Sequence, residues 1–546
     1  MQFGPMANIL AANVEGREPQ AKVPIPVPVQ DTPTSYPSAM RRPDAAQWKL
    51  AFKDEMDSHH ANTTFRVETP PAGSSILPMS WVLDIKSDGR KKARMVVGGH
   101  RQHHGRDWFK SFAPVAKFSS IRAGIALATQ NKWSTHHMDV KTAYLYGKLD
   151  EVIYARLPPG ALSEQGGEVV RVLKAIYGLK QAGRIWYRTL SQLFMDKGLT
   201  CLNTDECIFT LRRGKEVVII MVYVDDLTII SSCDSLRDEV KSFLNLRFLM
   251  KDLGPTQRLL GIEFAGTTAS GTITIHQREY THTILARFGL QTVRPEPTPM
   301  VGGQKLLPFE EGDERADVGL YQSMLGSAMY LMVGTRPDLA FALSVLSRFA
   351  AAPTATHMRA MHRLFAYLAG TTDYRIQYRS FGDTDGLVGF GDADWGGELP
   401  SRRSTSGVVF CSAGGAISYM SKRQHVTAFT MPEAEWFACG EAVREGLWMR
   451  NLRRKLRLND GHTPIPIFTD NKAALALTQN PVQHARSKQL DVVGHAIRDH
   501  VRERHVSVEH VRTSMNAADI LTKPLGPQEF LPKRKLLGIR RIPSTA

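Results

Sequence analysis

The stretch Val217–Ser231, VVIIMVYVDDLTIIS, places two acidic residues between two short apolar runs. Runs of this length, rich in β-branched residues, predict two buried strands. The strands would form a hairpin with Asp225 and Asp226 at its tip. Adjacent carboxylates in such a place are costly to hold unless a cation neutralises them, and carboxylate oxygens suit divalent cations. The alternative is an ordinary surface β-turn, since aspartate is common in turns.

Length and charge restrict the rest of the chain. At 546 residues we expect about three domains. The net charge of +16 favours a polyanionic partner, with nucleic acid ahead of an anionic membrane. No window predicts a membrane-spanning helix, and the first residues do not resemble a signal peptide. The five cysteines contain no CxxC pair, so we expect neither a disulfide framework nor a zinc site.

The first half predicts elements on both sides of this hairpin. Residues 1–43 are proline-rich and predict a disordered leader, followed by a helix that begins after Pro43. Ser80–Gly99 predicts a second hairpin, and its basic side chains include Lys86 and Arg94. This hairpin is either a solvated surface or a clamp for a triphosphate. Asp139 is expected at the end of a strand with Tyr144 in the turn beyond it, and the preceding His136 and His137 are interpreted as strand or surface residues.

The composition changes again after residue 386, where strands with glycine-rich turns alternate with helices. This alternation predicts an α/β layer domain. Four acids lie at strand ends or in helices there: Asp392, Glu435, Asp470 and Asp519. Each alone is more simply a cap or a solvated acid. Residues 291–319 are rich in proline, glycine and charge and predict a boundary between domains.

An ordered set of motifs resembles the reverse transcriptase region of copia-type (pseudoviral) LTR retrotransposon pol polyproteins. The set comprises Asp139-Val140-Lys141-Thr142-Ala143-Tyr144, Leu179-Lys180-Gln181-Ala182 and Tyr223-Val224-Asp225-Asp226. The later segments GDADWGG, EAEWFA, FTDNKAAL and AADILTKPL resemble the RNase H domain that follows in those polyproteins. The resemblance covers roughly residues 40 to 526, and it suggests the C-terminal part of a pol polyprotein or a truncated element.

The resemblance implies a mixed α+β and α/β multidomain fold, with a right-hand polymerase of palm, fingers and thumb followed by an RNase H-like domain. The implied divisions are a leader (1–43), fingers and palm (44–290), a linker with a helical thumb or connection (291–385), the RNase H-like domain (386–526) and a basic tail (527–546).

The resemblance also implies roles for individual residues. Metal-binding and catalytic roles fall to Asp139, Asp225 and Asp226 in the palm and to Asp392, Glu435, Asp470 and Asp519 in the RNase H-like domain. Each set would hold two Mg²⁺ or Mn²⁺ ions. Nucleotide contacts fall to Lys86, Arg94, Tyr144 and Gln181. Implied partners are an RNA template, a DNA primer, RNA–DNA hybrid and dNTPs, with no membrane. The implied location is the cytoplasm, in virus-like particles, or the nucleus, and not the secretory route.

Three hypotheses follow. The first is an RNA-directed DNA polymerase with RNase H activity. The second is a catalytically silent relic that only binds nucleic acid through basic clusters such as Arg453-Arg454-Lys455 and Lys533-Arg534-Lys535. The third, a basic binding protein unrelated to polymerases, is disfavoured by the order of the motifs. The presence of all seven acids favours the first.

Overall fold

The computed structural model describes residues 32–86, 88–163, 166–202, 204–382, 386–455, 463–479 and 488–541. The first part of the chain forms, in order, α1 (Tyr36–Met40), α2 (Ala45–Ala61), β1 (Phe65–Val67), β2 (Ile76–Ile85), β3 (Lys91–Val97), α3 (Phe118–Gln130), β4 (Ser134–Val140), β5 (Lys148–Arg156), β6 (Val169–Lys174), α4 (Ala182–Asp196), β7 (Thr200–Leu202), β8 (Asp205–Arg213), β9 (Glu216–Tyr223), β10 (Asp226–Ser231), α5 (Asp234–Arg247) and β11 (Met250–Pro255).

The second part continues with β12 (Arg258–Leu259), β13 (Ile262–Thr267), β14 (Thr272–His276), α6 (Arg278–Arg287), α7 (Val318–Gly334), α8 (Ala340–Leu346), α9 (Ala355–Ala369) and β15 (Tyr374–Arg379). The last part consists of β16 (Val388–Ala393), β17 (Thr405–Ser412), β18 (Gly415–Arg423), α10 (Met431–Lys455), β19 (Ile465–Thr469), α11 (Lys472–Gln479), α12 (Lys488–Arg502), β20 (Val506–His510), α13 (Pro527–Leu536) and β21 (Ile539–Arg541).

The fingers sheet has the strand order β1-β6-β5-β2-β3. Strands β2 and β3 form the predicted hairpin, and the backbone N–H of Lys86 donates to the carbonyl of Arg90 at 2.9 Å. The predicted turn at 87–89 therefore has the expected position, although residue 87 lies outside the described residues. Helix α2 packs on β3 and buries Trp48, Phe52 and Met56, so the helical spacing of these apolar residues is confirmed.

The palm sheet has the order β11-β4-β10-β9-β8-β7. Strands β9 and β10 pair antiparallel as the predicted hairpin, and the side chains of Val217–Val222 are all buried. Helices α3 and α5 pack on β10 at the centre of the sheet. An apolar hairpin held in this way fixes its acidic turn at one edge of a rigid core.

A third sheet, β12-β13-β14-β15-β21, joins the middle of the chain to its end. The expectation of a basic tail over 527–546 is wrong for residues 527–541. These residues form α13 and β21, and β21 pairs antiparallel with β15. Arg534 is buried and donates to the hydroxyl oxygens of Tyr367 and Tyr374, each at 3.0 Å. At least one basic side chain of this segment, Arg534, is therefore part of the folded core and not of a solvated tail.

The last sheet has the order β18-β17-β16-β19-β20, in which the first three strands pair antiparallel and the last two join in parallel. Helix α10 packs across β16 and β17. This strand order agrees with the RNase H-like α/β domain that the resemblance implies, and the expected mixed α/β multidomain fold is confirmed. Pro432 is the second residue of α10, where a missing backbone N–H costs no helical hydrogen bond.

The predicted linker does not keep the last sheet away from the palm. Arg122 on α3 is buried, and its Nε donates to the carbonyl of Ile417 on β18 at 2.8 Å. Its guanidinium also donates to the carbonyl of Gly334 at 2.9 Å and lies 4.6 Å from the ring centre of Tyr419. The palm and the last sheet are therefore in contact despite the long segment between them, and buried Arg122 joins them.

The predicted leader also ends earlier than residue 43. Ser35 caps α1, and Ala39 within that helix is fully buried. Residues 1–31 of the predicted leader lie outside the described residues. Among the helices that the structure describes, none has the length and apolar character needed to cross a bilayer.

Candidate active sites

The hairpin between β9 and β10 closes with a two-residue turn. Tyr223 pairs with Asp226, which leaves Val224 and Asp225 as the turn residues. Val224 has a φ of 56°, a conformation that a β-branched residue rarely adopts. Two hydrogen bonds hold the turn: Trp186 Nε1 donates to the Val224 carbonyl at 2.7 Å, and the Val140 N–H donates to the Asp225 carbonyl at 2.9 Å. The surrounding structure therefore fixes the two acids in one strained arrangement.

Strand register brings Asp139 to this turn. Asp139 on β4 lies directly opposite Asp226 on β10, and Lys251 on β11 lies opposite Asp139 on the other side. Residues directly opposite in an antiparallel pair share one face of the sheet. The predicted position of Asp139 near the end of a strand is confirmed.

One oxygen of Asp226 is directed to a histidine. His137 Nε2 lies 3.0 Å from Asp226 Oδ1, and both side chains are largely buried. His137 is a strand residue, as expected, but its contact with Asp226 was not predicted. Among the described residues, two sets of three ligand-type side chains have their ligand atoms within 4.8 Å of one another, and the palm acids are not one of them. The assignment of Asp139, Asp225 and Asp226 as metal ligands therefore remains a prediction.

A row of side chains runs from the fingers to the palm acids. The Arg94 guanidinium lies 5.7 Å from the ring centre of Tyr177, whose ring meets that of Tyr144 edge-on at 4.7 Å. Burial, with a contribution from the negative charge of Asp225, raises the pKa of Tyr144 to about 12. The Tyr144 hydroxyl therefore stays neutral near Asp225. Arg94 is the cation of this row, and Tyr177 lies between it and Tyr144.

The remaining nucleotide-binding predictions fall in different surroundings. Lys86 lies at the exposed tip of the fingers hairpin, where its Nζ is 3.0 Å from Asp84. Gln181 is buried, and its Nε2 donates to the Asp107 carbonyl at 2.8 Å while its Oε1 accepts from Gln102 at 3.0 Å. The Gln181 side chain thus lies in an internal network at the start of α4. Its contact with a nucleotide remains a prediction.

The second site is more tightly assembled. Asp392 lies on β16, Glu435 on α10, and Asp470 directly after β19. One carboxylate oxygen from each of the three lies within 4.8 Å of the other two. Asp392 Oδ2 accepts from the Thr522 hydroxyl at 2.5 Å, and Asp470 Oδ1 accepts from Asn516 Nδ2 at 3.2 Å. Three of the four predicted acids therefore converge from separate elements.

Burial makes this cluster costly in its fully ionised form. The pKa of Asp392 is raised well above its usual range by burial and by the negative charges of Asp519 and Asp470. Burial and the negative charges of Asp392 and Asp470 raise the pKa of Glu435 as well, by more than that of Asp392. The Oε2 atom of Glu435 is buried without a hydrogen-bond partner. A site of this kind fits a divalent cation, which would neutralise the acids and supply the missing partner.

Asp519 differs from the other three acids. It lies in the 3₁₀ helix Ala517–Leu521, and its two carboxylate oxygens contact the ammonium groups of Lys523 and Lys533. The assignment of Asp519 as a fourth metal ligand therefore remains a prediction, and in this structure two lysines pair with its carboxylate.

Sequence reasoning missed several residues around both sites: His137, Tyr177, Trp186, Lys523 and Lys533. A signal existed for Tyr177, because Gly178 follows it with a φ of +93° and a Cβ there would come within 2.1 Å of the Val97 carbonyl. Such a glycine marks a close backbone approach. The other contacts depend on tertiary packing, for which the sequence carried no local signal.

The chain matches known proteins along most of its length. Residues 62–302 match the reverse transcriptase (RNA-dependent DNA polymerase) family. A retrovirus-related Pol polyprotein from transposon TNT 1-94 of Nicotiana tabacum is 34% identical over 521 residues, covering 93% of this chain and 39% of that protein. A putative transposon Ty5-1 protein of Saccharomyces cerevisiae is 30% identical over 311 residues, which are 56% of this chain and all of that protein.

Among solved structures, a foamy viral protease-reverse transcriptase in complex with double-stranded DNA aligns over 85% of this chain and 70% of its own, with 12% identity and a TM-score of 0.45. The chain spans between about a third and two fifths of the length of the plant Pol polyproteins that it matches. From these matches, the chain belongs to the copia-type retrotransposon pol family, and residues 62–302 are its reverse transcriptase region.

Proposed function

We propose that this chain is an RNA-directed DNA polymerase of a copia-type element, and that its last domain degrades RNA in RNA–DNA hybrids. The observation that carries the polymerase proposal is the register of Asp139 with Asp226 beside the turn that holds Asp225. This arrangement occurs in a chain whose residues 62–302 match the reverse transcriptase family. The proposed partners are an RNA template, a DNA primer and dNTPs.

In the polymerase site, Asp139, Asp225 and Asp226 would hold divalent cations. Bound cations would supply charge stabilisation to the reacting phosphate and lower the pKa of the attacking hydroxyl. The β9–β10 turn fixes the two adjacent acids, because Trp186 and Val140 hydrogen-bond to its backbone. Such fixation matters because small displacements of a reacting group reduce rates strongly.

Residues around these acids would bind and select the nucleotide. Arg94 and Lys86 would contact the triphosphate, since both lie on the fingers hairpin and carry positive charge. Tyr144 would lie under the sugar and exclude a 2′-hydroxyl by steric contact. The edge-on packing of Tyr177 against Tyr144 supports this role, because a ring held from the side cannot easily move away.

In the second site, Asp392, Glu435 and Asp470 would hold a divalent cation near the scissile phosphate of the RNA strand. Two observations support this proposal. One oxygen from each acid lies within 4.8 Å of the other two, and Glu435 Oε2 is buried without a hydrogen-bond partner. Asn516 and Thr522 orient Asp470 and Asp392 through hydrogen bonds. Oriented ligands of this kind are typical of catalytic metal sites.

The competing candidate is a catalytically silent relic that binds nucleic acid through its positive charge. Retention of all seven acids and of the fixed β9–β10 turn favours an active enzyme. Extension of a DNA primer on an RNA template by the purified chain in Mg²⁺ tests the proposal. Labelled primer should lengthen with dNTPs present, and absence of extension with intact hybrid binding would support the relic.

A further inference from the structure

Two lysines contact the carboxylate of Asp519, one at each oxygen. Lys533 Nζ lies 2.6 Å from Asp519 Oδ2 and donates to the Thr513 carbonyl at 2.6 Å. Lys523 Nζ contacts the other carboxylate oxygen, Oδ1. The Asp519 side chain is only 3% exposed, so the pair of ammonium groups takes the place of solvent around it.

The two lysines differ in their freedom to move. The Lys533 side chain is 6% exposed and is held at two points, whereas the Lys523 side chain is 44% exposed. A half-exposed lysine has a long flexible stem and can return its ammonium group to water at small cost. Lys533 is therefore a fixed counter-ion of Asp519, and Lys523 is a removable one.

Lys523 also faces the other acids of the site. Its ammonium group interacts electrostatically with Asp392 and Asp470 as well as with Asp519. Asp392, Glu435 and Asp470 have their oxygens close together, and each of these three acids is available to a shared cation. The position beside Asp519 that faces this cluster already holds a positive charge, and two cations at one carboxylate oxygen repel each other.

We propose that Lys523 is a tethered counter-cation that occupies the second cation position of the hydrolytic site. The resting site then binds one divalent cation tightly, on Asp392, Glu435 and Asp470. A second divalent cation binds only after Lys523 leaves Asp519 for solvent. This inference rests on the proposed hydrolytic function, and it makes Lys523 a positioning residue that sets how many cations the resting site holds.

The test counts bound Mn²⁺ by electron paramagnetic resonance of the free ion. It uses the full chain with Asp139→Asn, Asp225→Asn and Asp226→Asn to remove ions from the palm, and with His505→Ala to break up the other set of ligand-type side chains, His500, Glu503 and His505. In this parent we expect one tightly bound Mn²⁺. Lys523→Met should bind two, with the second at least about tenfold tighter than in the parent, because ligand charge sets the affinity of such sites. Lys523→Arg keeps the charge and should behave as the parent does.

The controls separate this inference from the function on which it rests. Asp392→Asn in the parent should abolish the tight Mn²⁺; if it does not, the hydrolytic site itself is wrongly assigned and the inference fails with it. If Asp392→Asn removes the ion but Lys523→Met still binds only one, the inference alone is overturned. Two equally tight ions in the parent would overturn it as well. Lys523→Gln provides a second neutral variant, and thermal melting in chelator selects the variant that folds.

Discussion

The indole N–H of Trp186 donates a 2.7 Å hydrogen bond to the carbonyl of Val224, the residue that precedes the two acids of the β9–β10 turn. Trp186 is 1% exposed, and its ring also packs edge-on against Phe248 at 5.1 Å. The helix that carries Trp186 thereby fixes a turn whose first residue has a φ of 56°. A strained turn persists only when its surroundings hold it, at a cost of about 1–3 kcal/mol.

Trp186→Phe should therefore reduce DNA synthesis. An aromatic ring remains but the hydrogen bond is lost, and a loss of about 1 kcal/mol at the turn corresponds to roughly a fivefold fall in rate. Cleavage of RNA in a hybrid should not change. Steady-state primer extension measures the effect.

Trp81→Phe is the matched control for this change. Trp81 is also buried, and its Nε1 donates to the Pro159 carbonyl at 2.8 Å, but it lies in the fingers sheet. The control should lose similar stability with little loss of synthesis per folded molecule. Equal losses of synthesis in both variants would show that stability, and not the turn, explains the effect.

Tyr144→Val should weaken selection against ribonucleotides. If the ring of Tyr144 excludes the 2′-hydroxyl, its removal should raise the ratio of ribonucleotide to deoxyribonucleotide incorporation by about 10- to 100-fold. Tyr144→Phe keeps the ring and should keep the ratio. If Tyr144 only fills the core, Val lowers the melting temperature and leaves the ratio unchanged.

The hydrolytic site should make cation-free stability depend on pH. Burial and neighbouring acids raise the pKa of Asp392 to about 7 and that of Glu435 to about 9. The unfolded chain has values of about 4, so the folded state binds more protons, and stability falls as pH rises from about 4 to about 9. In chelator, the melting temperature should therefore fall between about pH 4 and pH 9. Mg²⁺ should reverse the fall, and Glu435→Gln should flatten it; a melting temperature independent of pH would contradict the cluster.

Binding of RNA–DNA hybrid should weaken steeply with salt, as the net charge of +16 implies. Arg454→Gln should reduce the log–log slope by about 0.7–0.9 if that side chain contacts a phosphate. Arg534→Gln is the contrasting variant, because Arg534 is buried between two tyrosines. It should lower stability and leave the slope unchanged, whereas a change of slope would place Arg534 on the nucleic-acid surface.

Local patterns predicted the elements that carry the site residues. Apolar runs predict β9 and β10, and the spacing of Trp48, Phe52 and Met56 predicts α2, because these signals are short-range. The contact between His137 and Asp226 joins residues 89 positions apart, so only strand register reveals it. Lys533 is likewise brought to Asp519 by the docking of α13 on the last domain. A segment interpreted as a basic tail gave no indication of that docking, because its charges are solvated in the unfolded chain and paired only in the fold.

Separation of two active sites is the central claim, and paired assays on Asp225→Asn and Asp470→Asn test it most directly. Each change removes one charge and keeps the side-chain shape. Primer extension on an RNA template and cleavage of labelled RNA in a hybrid are measured on the same preparations in Mg²⁺. Asp225→Asn should lower synthesis by at least about a thousandfold, since loss of a metal ligand costs several kcal/mol at the transition state, and should spare cleavage. Asp470→Asn should do the reverse; loss of both activities in either variant, or near-normal activity in both assays, would contradict the account.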